Sequence, residues 1–405
     1  MKVLLFAALY PPHVVGGAEI SAWNLAEWLV EQGWTVGVVR AAARGEEEGE
    51  EKPRDGLTIW RVRTPHIYPV TEFETAPSWM KPLWHLQDHF DPRIQGKIGR
   101  ILDRFKPDLV NIHILQGLGY RALRETARRN IPVNYVLPDL GLACVRMSMF
   151  KAGKDCPRQC GVCRLSARYK QSLLADQARI SFLSPSRANL ATLARIFRPV
   201  KEHRSASILN PNAYPKPQGN RTKSDRLRLL FAGRLHPSKG VSMLVDAVAD
   251  LAKTHQIELK IAGRGPLEEE LRARAATTGW CRVLGFISHA ELAEEMVNSD
   301  LLCIPSVWAE NSPGVVIQAL GVGLPVMGSD RGGIPELVED EVNGRLVRGA
   351  SMDAWKHALQ QVLDEPQMLR DWRRNAELSA PHFEQARIGS QIMAWMEMTA
   401  NGSAS

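Results

Sequence analysis

Residues 227–240 read LRLLFAGRLHPSKG, an apolar run that passes directly into a short polar loop. The run Leu227–Phe231, apolar except for Arg228, predicts a buried strand, because a short apolar segment before a turn is typical of a strand covered on both faces. Arg234 and Lys239 follow, five positions apart in the loop. An arginine can bind a diphosphate through two parallel hydrogen bonds, and a lysine adds a compact positive charge. The stretch therefore predicts an α/β sheet with a phosphate-binding loop at the end of one strand.

Strands and helices alternate on both sides of this stretch. On its C-terminal side, amphipathic helices separate predicted strands over Leu259–Ala262, Val283–Phe286, Leu301–Pro305 and Pro325–Gly328. An earlier series runs from the strand Val3–Leu9 to the strand Ile180–Leu183, and a polar stretch near residues 208–224 follows it. Such alternation predicts parallel β-α-β units that bind ligands at the carboxyl ends of their strands. We therefore predict an α/β fold of two Rossmann-like, doubly wound domains that face a central cleft.

Composition limits the class of protein. The chain has 405 residues, 44% of them hydrophobic, and a formal net charge of +7, as in an ordinary globular protein. It contains no dense Lys/Arg tract, so we expect no nucleic-acid partner, although a basic surface toward phosphates or anionic lipids is allowed. The apolar run Met1–Leu9 meets Pro11-Pro12 instead of a small-residue cleavage site, which favours a strand over a signal peptide. We expect a cytoplasmic protein without a membrane span.

Two common nucleotide-binding motifs are missing. The dinucleotide fingerprint needs G-x-G-x-x-G between a strand and a helix, and neither Gly16-Gly17-Ala18-Glu19 nor Gly263-Arg264-Gly265-Pro266 has that spacing. A P-loop sequence is absent as well. Dehydrogenase and NTPase functions are therefore disfavoured. Gly16-Gly17 has two interpretations: a turn whose amides approach an anion at a helix start, or simply a tight turn.

A series of short motifs resembles the retaining glycosyltransferases of family 4, which have the GT-B fold. They occur in family order, with family-like spacings, from Lys2 to about Val347. The motifs are Gly16-Gly17-Ala18-Glu19, Ile208-Leu209-Asn210-Pro211-Asn212, Gly233-Arg234-Leu235-x-x-x-Lys239-Gly240, Gly263-x-Gly265-Pro266, Leu284-Gly285-Phe286, Glu310-Asn311-Ser312-Pro313-Gly314 and Gly332-Gly333-Ile334-Pro335-Glu336.

The resemblance implies a division of labour between two domains. Residues 1–203 would bind the acceptor, and residues 204–383 would bind a nucleoside diphosphate-sugar donor. A cysteine-rich insertion at about 140–170 would belong to the first domain, and a final helix at about 384–399 would pack back on it. The acceptor would be a glycan, a lipid-linked molecule or a small molecule, and contact with the inner membrane surface is left open.

The resemblance also assigns roles to residues. Arg234, Lys239 and Glu310 would be catalytic: the two cations hold the diphosphate, and the carboxylate binds donor-sugar hydroxyls. The remaining donor-binding residues would be Gly16, Gly17, Gly263, Gly285, Phe286, Ile287, Asn311, Ser312, Pro313, Gly314, Val315 and Gln318. No metal is needed for catalysis in this scheme, because the cations already stabilise the charge on the departing diphosphate.

Two positions depart from the family pattern. The family pairs two glutamates eight positions apart, and here the second is Gln318, a neutral amide that loses charge-assisted hydrogen bonding to ribose. The family also has His-Asp after the strand Val133–Leu137, where this chain has Pro138-Asp139. These changes leave donor identity open and keep a weakened or non-catalytic homologue as an alternative.

On the acceptor side, the residues are less decisive. Asp139 remains as a local carboxylate, and His113 is either an acceptor-site base or a satisfied core histidine. The Trp-containing stretch from Pro77 to His85 is more typical of aromatic packing under a helix than of an acceptor or membrane-surface element.

Four cysteines, at Cys144, Cys156, Cys160 and Cys163, lie in one polar segment. Four thiolates can close a tetrahedral zinc site or hold an iron–sulfur cluster, and such a site would be structural. The alternative is a basic loop with free thiols.

The predicted function is transfer of a sugar from a nucleoside diphosphate-sugar to an acceptor hydroxyl, with retention. It would serve the synthesis of a glycan, polysaccharide, glycolipid or other glycoconjugate. The alternatives are a non-catalytic homologue that binds nucleotide sugar or supports a partner enzyme, and, less favoured, a sugar-nucleotide epimerase.

Overall fold

The computed structural model describes residues 1–14 and 16–402. Its strands are β1 (Lys2–Ala7), β2 (Thr35–Ala41), β3 (Gly49–Arg54), β4 (Leu57–Val62), β5 (Leu109–Ile114), β6 (Val133–Val136), β7 (Phe150–Lys151), β8 (Lys154–Asp155), β9 (Ile180–Ser184), β10 (Arg204–Ser207), β11 (Leu227–Ala232), β12 (Ile257–Ala262), β13 (Cys281–Gly285), β14 (Leu301–Ile304), β15 (Val326–Ser329) and β16 (Gly344–Val347).

The α-helices are α1 (Gly17–Glu31), α2 (Lys81–Phe90), α3 (Arg93–Phe105), α4 (Leu123–Arg128), α5 (Gly161–Ala175), α6 (Arg187–Ile196), α7 (Arg198–Glu202), α8 (Val241–Leu251), α9 (Glu268–Ala276), α10 (His289–Val297), α11 (Gly314–Gly321), α12 (Met352–Asp364), α13 (Gln367–Ser379) and α14 (Gln385–Asn401). None of these described helices has the length and apolar character needed to cross a bilayer.

The described residues form two compact units. The first contains Met1–Met149, Pro157–Asn212 and the residues from Gln385 on, and the second contains Phe150–Cys156 and Ala213–Glu384. The sequence placed the division at residue 203, but the first unit continues to Asn212 because β10 adds to its sheet beside β9. This edge strand is mostly exposed and polar, so it lacks the apolar run that marks the other strands.

The cysteine-rich insertion is shared between the units. The β7–β8 hairpin belongs to the second unit, where Arg331 and Asp155 form an ion pair. Helix α5 belongs to the first unit and contributes Leu173 and Leu174 to its core.

The first unit is a three-layer α/β/α domain. Its sheet has the order β10-β9-β6-β5-β1-β2-β4-β3, and all of its pairs are parallel except that of β3 with β4. Side chains alternate along β1, so Leu4 and Phe6 enter one core, and Val3 and Leu5 enter the other. The direction in which successive strands are added to the sheet reverses between β1 and β5, which are neighbours in the sheet but not consecutive in sequence.

Helix α14 completes the second of these cores. Ile388, Ile392 and Met396 are buried there with residues of α1 and β1. The Trp395 indole N–H donates a hydrogen bond of 3.0 Å to the buried Asn134 Oδ1, in the middle of β6. Helix α14 is therefore built into the first unit.

The second unit has a fully parallel six-stranded sheet. Its order is β13-β12-β11-β14-β15-β16, which is the Rossmann order 3-2-1-4-5-6 when the strands are counted from β11. The direction of winding changes between β11 and β14. Ligands of such sheets bind at this switch point, outside the carboxyl ends of the strands. The predicted α/β class with two Rossmann-like units is confirmed.

Candidate active site

The loops that leave β11 and β14 meet at the switch point of the second unit. Gly240 has φ +68°, and a Cβ built on it would lie 1.9 Å from the carbonyl oxygen of Pro305. The Val307 N–H also donates to the Ser238 carbonyl at 2.9 Å. Only glycine allows this backbone approach, and it brings the loop that carries Lys239 against the loop that carries Glu310.

Lys239 and Glu310 form an ion pair at this junction, with 2.6 Å between Nζ and Oε1. Glu310 is buried, and Lys239 is about three-quarters covered. The Ser306 hydroxyl and the Trp308 indole N–H also donate to Oε1, at 2.5 and 2.8 Å. All three donors reach Oε1. No described residue donates a hydrogen bond to the other oxygen, Oε2, so Oε2 is available to a ligand.

Electrostatics keep Glu310 ionised. Burial alone would favour the neutral acid, but the Lys239 charge and the hydrogen bonds from Lys239, Ser306 and Trp308 outweigh burial and lower the pKa of Glu310. The Lys239 ammonium also lies 5.3 Å from the centre of the Trp308 ring. Ser306 and Trp308 were not predicted as site residues, and their position four and two residues before the glutamate was the available signal.

Arg234 and the start of α11 lie on the same two loops. Arg234 is exposed, two residues after β11 ends at Ala232. Helix α11 begins at Gly314 without a side-chain cap, so its first amides and its dipole favour an anion. The half-buried segment from Asn311 to Val315 precedes and begins this helix. Its Ser312 hydroxyl is buried and makes no hydrogen bond to the described residues.

The segment predicted to lie against a nucleobase is accessible. Gly285 ends β13, Phe286 is 70% exposed, and Ile287 is half-buried. The Arg264 guanidinium lies 5.7 Å from the centre of the Phe286 ring. Gly263, in the loop after β12, donates its N–H to the Gly285 carbonyl at 2.7 Å, so this amide joins the two loops.

Gln318 is held by His289, which sequence reasoning missed. The Gln318 Nε2 donates to the His289 carbonyl at 3.1 Å, and its Oε1 lies 3.4 Å from the His289 Nδ1. An ionised glutamate would have no hydrogen to donate to that carbonyl, so the neutral amide suits its surroundings. The His289 ring also packs 5.5 Å from the ring of Tyr214, centre to centre. The capping box of Ser288 and Glu291 marks a helix start here, which was the available signal.

In the first unit, Gly16 and Gly17 lie where α1 begins. The Glu19 carboxylate accepts the Gly16 N–H at 2.8 Å and so occupies one of the amides proposed for an anion. Gly17 is exposed, and a Cβ on it would contact nothing within 4 Å. These residues lie after β1, at the switch point of the first unit.

His113 and Asp139 lie at the ends of β5 and β6 in the first unit. His113 is buried, burial lowers its pKa to about 4, and its Nε2 has no hydrogen-bond partner among the described residues. Burial raises the pKa of Asp139 to about 6, and the charge of Glu19 contributes. The Asp139 Oδ1 accepts the Gly141 N–H at 2.5 Å. Lys170 donates to the Gly141 carbonyl at 2.7 Å, and burial lowers its pKa to about 8.

The cysteines do not form one closed cluster. The sulfurs of Cys144 and Cys163 are 3.8 Å apart in the first unit, and Cys160 interacts with Cys163. Cys156 belongs to the segment of the second unit. Among the residues that the structure describes, no three His, Cys, Asp or Glu side chains are arranged to hold a metal ion. The predicted zinc or iron–sulfur site stays a prediction without support from this arrangement.

Comparisons with known proteins agree with the fold. The family model "Glycosyltransferase Family 4" matches residues 15–137, and the model "Glycosyl transferases group 1" matches residues 215–379. An uncharacterised glycosyltransferase of Methanocaldococcus jannaschii is 25% identical over 380 residues, which are 90% of this chain and 90% of that protein.

Solved structures share the architecture. Sucrose-phosphate synthase from Thermosynechococcus elongatus has a TM-score of 0.75 at 18% identity, over 99% of this chain and 100% of that one. Anabaena HepE, solved in complex with UDP, has a TM-score of 0.67 at 18% identity, over 98% and 100% of the two chains. The two matched regions and this architecture define a glycosyltransferase of the GT-B fold, and the chain belongs to family 4.

Proposed function

We propose that this glycosyltransferase uses a nucleoside diphosphate-sugar and transfers the sugar with retention to an acceptor hydroxyl. The observation that carries the proposal is the buried, ionised Glu310, paired with Lys239 at the switch point of the second unit. A buried carboxylate with one oxygen left for a ligand suits a polyhydroxylated sugar, and the neighbouring cations suit a diphosphate. The product would be a glycan, polysaccharide, glycolipid or other glycoconjugate.

The reaction needs charge stabilisation on the leaving group. Breakage of the anomeric C–O bond leaves negative charge on the diphosphate, and Arg234, Lys239 and the uncapped start of α11 would stabilise it. These groups are fixed in advance by the close backbone contact at Gly240. For retention, the acceptor oxygen would attack the face from which the diphosphate departs, and the departing phosphate oxygen would take the acceptor proton. In this scheme a metal ion is not required.

The nucleobase would lie against Phe286, and Arg264 would support the ring. Uridine is the first base to test, because HepE, which shares the fold, was solved with UDP. The acceptor would reach the first unit near His113 and Asp139, at the switch point of its sheet. The proposal includes no proton transfer by His113 or Asp139.

Calorimetric titration with UDP, GDP, ADP and dTDP, each with and without Mg²⁺, tests the donor site. We expect one nucleotide to bind without a requirement for Mg²⁺. Arg234→Ala should weaken that binding about tenfold or more, since hydrogen bonds to charged groups contribute roughly 1.5–3 kcal/mol. Arg282→Ala, which removes another exposed arginine of the second unit, is the matched control and should bind normally.

The enzymatic step is tested separately with the matching nucleotide sugars. Transfer to an acceptor, or slow release of free sugar with the donor's anomeric configuration retained, should be lost in Glu310→Ala. Nucleotide binding without any turnover in the unmodified chain would instead favour the non-catalytic homologue. The absence of binding to all four nucleotides would overturn the proposed donor site.

A further inference from the structure

A line of large apolar side chains is exposed along α2 and the turn before it. Trp79 is 78% exposed, and Leu83, Leu86 and Phe90 are each at least 44% exposed. Their spacing of four, three and four positions places them along one face of the helix. The opposite face already supplies Trp84 to the core of the first unit. The exposed side chains are therefore not needed to attach the helix to the domain.

Helix α5 continues this apolar surface. The Phe90 ring lies 4.5 Å from the Tyr169 ring, centre to centre, and the His89 Nε2 lies 2.7 Å from the Ser166 Oγ. Leu165 precedes Tyr169 by one helical turn and is 68% exposed. Val162, a further turn back, is 65% exposed. We call these six exposed residues, five on the two helices and one in the turn before α2, the apolar ridge: Trp79, Leu83, Leu86, Phe90, Val162 and Leu165.

Within the two helices, the exposed charges have one sign. Arg164 and Arg168 are exposed on α5, next to Leu165 in sequence and one turn away from it. Lys81, at the start of α2, is partly exposed with its ammonium 4.9 Å from the centre of the Phe73 ring. The only acidic residue in the two helices is Asp88, which is fully buried. Within α2 and α5, every solvent-exposed charge is therefore positive.

We propose that the apolar ridge docks the first unit on an anionic lipid surface. Helices at a bilayer surface bury Trp and Leu at the headgroup boundary and place arginines against anionic lipids, and the ridge presents these residue types together. Contiguous exposed apolar surface of this kind marks an interaction site. The proposal goes beyond the donor chemistry and does not depend on it, because the apolar ridge shares no residue with the donor site.

Sedimentation of the full chain with lipid vesicles tests the docking. We expect the protein to bind vesicles of phosphatidylcholine with phosphatidylglycerol, and to bind vesicles of phosphatidylcholine alone much more weakly. Added salt should reduce binding to the anionic vesicles, because it screens the arginine charges. A chain that stays in solution with the anionic vesicles at low salt would overturn the proposal.

Matched variants separate the apolar ridge from general surface effects. Leu165→Asp should lower vesicle binding about tenfold, while Leu378→Asp, at a position that is also 68% exposed, should bind like the unmodified chain. Arg164→Glu with Arg168→Glu should lower binding by more than about tenfold, since each basic residue near the surface contributes about fivefold. Lys223→Glu with Arg226→Glu makes the same change of charge on exposed residues elsewhere. Equal losses in test and control variants would contradict the docking site.

Two further readouts complete the test. Sedimentation velocity would show whether the unmodified chain forms a dimer that Leu165→Asp abolishes. If it does, and if the unmodified chain does not bind vesicles, the apolar ridge is a contact between copies and the lipid proposal is wrong. Nucleotide titration of Leu165→Asp should match the unmodified chain. Failure of the donor proposal would show in that titration, whereas failure of the docking proposal would show with the vesicles alone.

Discussion

The side chain of Gln318 illustrates how one neutral amide can be required by its surroundings. Its nitrogen satisfies the His289 carbonyl, and its oxygen lies near the ring of the same residue. The family pattern has a carboxylate here, which has no hydrogen to donate when ionised. In this chain the position therefore serves to attach α11 to the start of α10, whatever it also does for a ligand.

This contact predicts the effect of restoring the family residue. Gln318→Glu should lower the free energy of unfolding by about 1–3 kcal/mol, because the hydrogen bond to the His289 carbonyl would be lost and a buried carboxylate would face that oxygen. Urea unfolding at neutral pH measures the change. Glu336→Gln exchanges the same two side-chain groups at a partly exposed position of the same unit. Its effect on the free energy of unfolding gives the size expected without the Gln318–His289 hydrogen bond. Unchanged stability in Gln318→Glu would show that the hydrogen bond to His289 contributes nothing.

Asp139 gives a prediction about pH. Its pKa is raised from an ordinary value of 3.8 to about 6, mainly by burial. Well below pH 3.8 the carboxyl is protonated in both the folded and the unfolded chain, whereas above pH 6 folding must bury a charge. The contribution of Asp139 to stability is therefore lost as the pH rises through about 6.

Asp139→Asn should remove this loss and keep the acceptor for the Gly141 N–H. The variant should exceed the unmodified chain by about 3 kcal/mol at pH 7.5 and by much less near pH 4, since one pKa unit corresponds to about 1.4 kcal/mol. Urea midpoints at the two pH values measure the difference. Asp176→Asn, at an exposed position, should show no such dependence, and a pH-independent effect at Asp139 would contradict the assignment.

At the scale of elements, the active site depends on loops that cross closely. The β11 loop passes so near the end of β14 that Gly240 has no room for a Cβ. A second contact of this type occurs at Gly332, where a Cβ would lie 2.2 Å from the Glu310 carbonyl oxygen. The position of the Lys239–Glu310 pair is thus fixed by backbone contacts at Pro305 and at Glu310 itself.

Gly240→Ala should therefore be costly in two ways. Strain at positive φ contributes about 1 kcal/mol, and displacement of Pro305 adds to it. Gly33→Ala is the matched control, because Gly33 has φ +80° but open space around its Cα. Thermal unfolding should show a clearly larger loss for Gly240→Ala, with weaker nucleotide binding only in that variant. Similar losses in both variants would mean that the close approach is not a constraint.

The sequence predicted elements better than contacts. Apolar runs such as Leu227–Phe231 are unambiguous, so the alternation of strands and helices and the two Rossmann-like units were predictable. The edge strand β10 was missed because it is exposed and polar, and an edge strand needs no apolar pattern. The bond of Gln318 to His289 joins residues far apart in sequence, and no local pattern reports such a contact.

The candidate site was predictable to a similar degree. Arg234, Lys239 and Glu310 were identified from motifs, and the structure joins Lys239 and Glu310 directly. The support from Ser306 and Trp308 depends on how the β14 loop folds back on itself, which composition does not specify. On the acceptor side, His113 was ambiguous, and the structure buries it while leaving its Nε2 without a partner among the described residues, a contact that no sequence pattern reports.

At the scale of the whole molecule, the first unit depends on the last helix. Trp395 is nearly buried, and its indole donates to Asn134 in the centre of the sheet. Trp395→Ala should lower the free energy of unfolding by about 3–5 kcal/mol, through the cavity and the lost hydrogen bond. Calorimetric unfolding measures the change, and Trp23→Ala, at a residue of the first unit that is 41% exposed, should cost much less. Equal effects would show that α14 is only loosely attached.

The route of the chain through the two units has a consequence for biosynthesis. On the ribosome, α14 is the last of the described elements to be made, after every strand of the second unit. Until it emerges, the apolar surface of α1 and β1 that receives Ile388 and Ile392 remains uncovered. The second unit, which is almost continuous from Ala213 to Glu384, has all its strands at an earlier moment. The unit that is translated first is therefore the unit that finishes folding last. Its second core stays accessible to chaperones until α14 has been made.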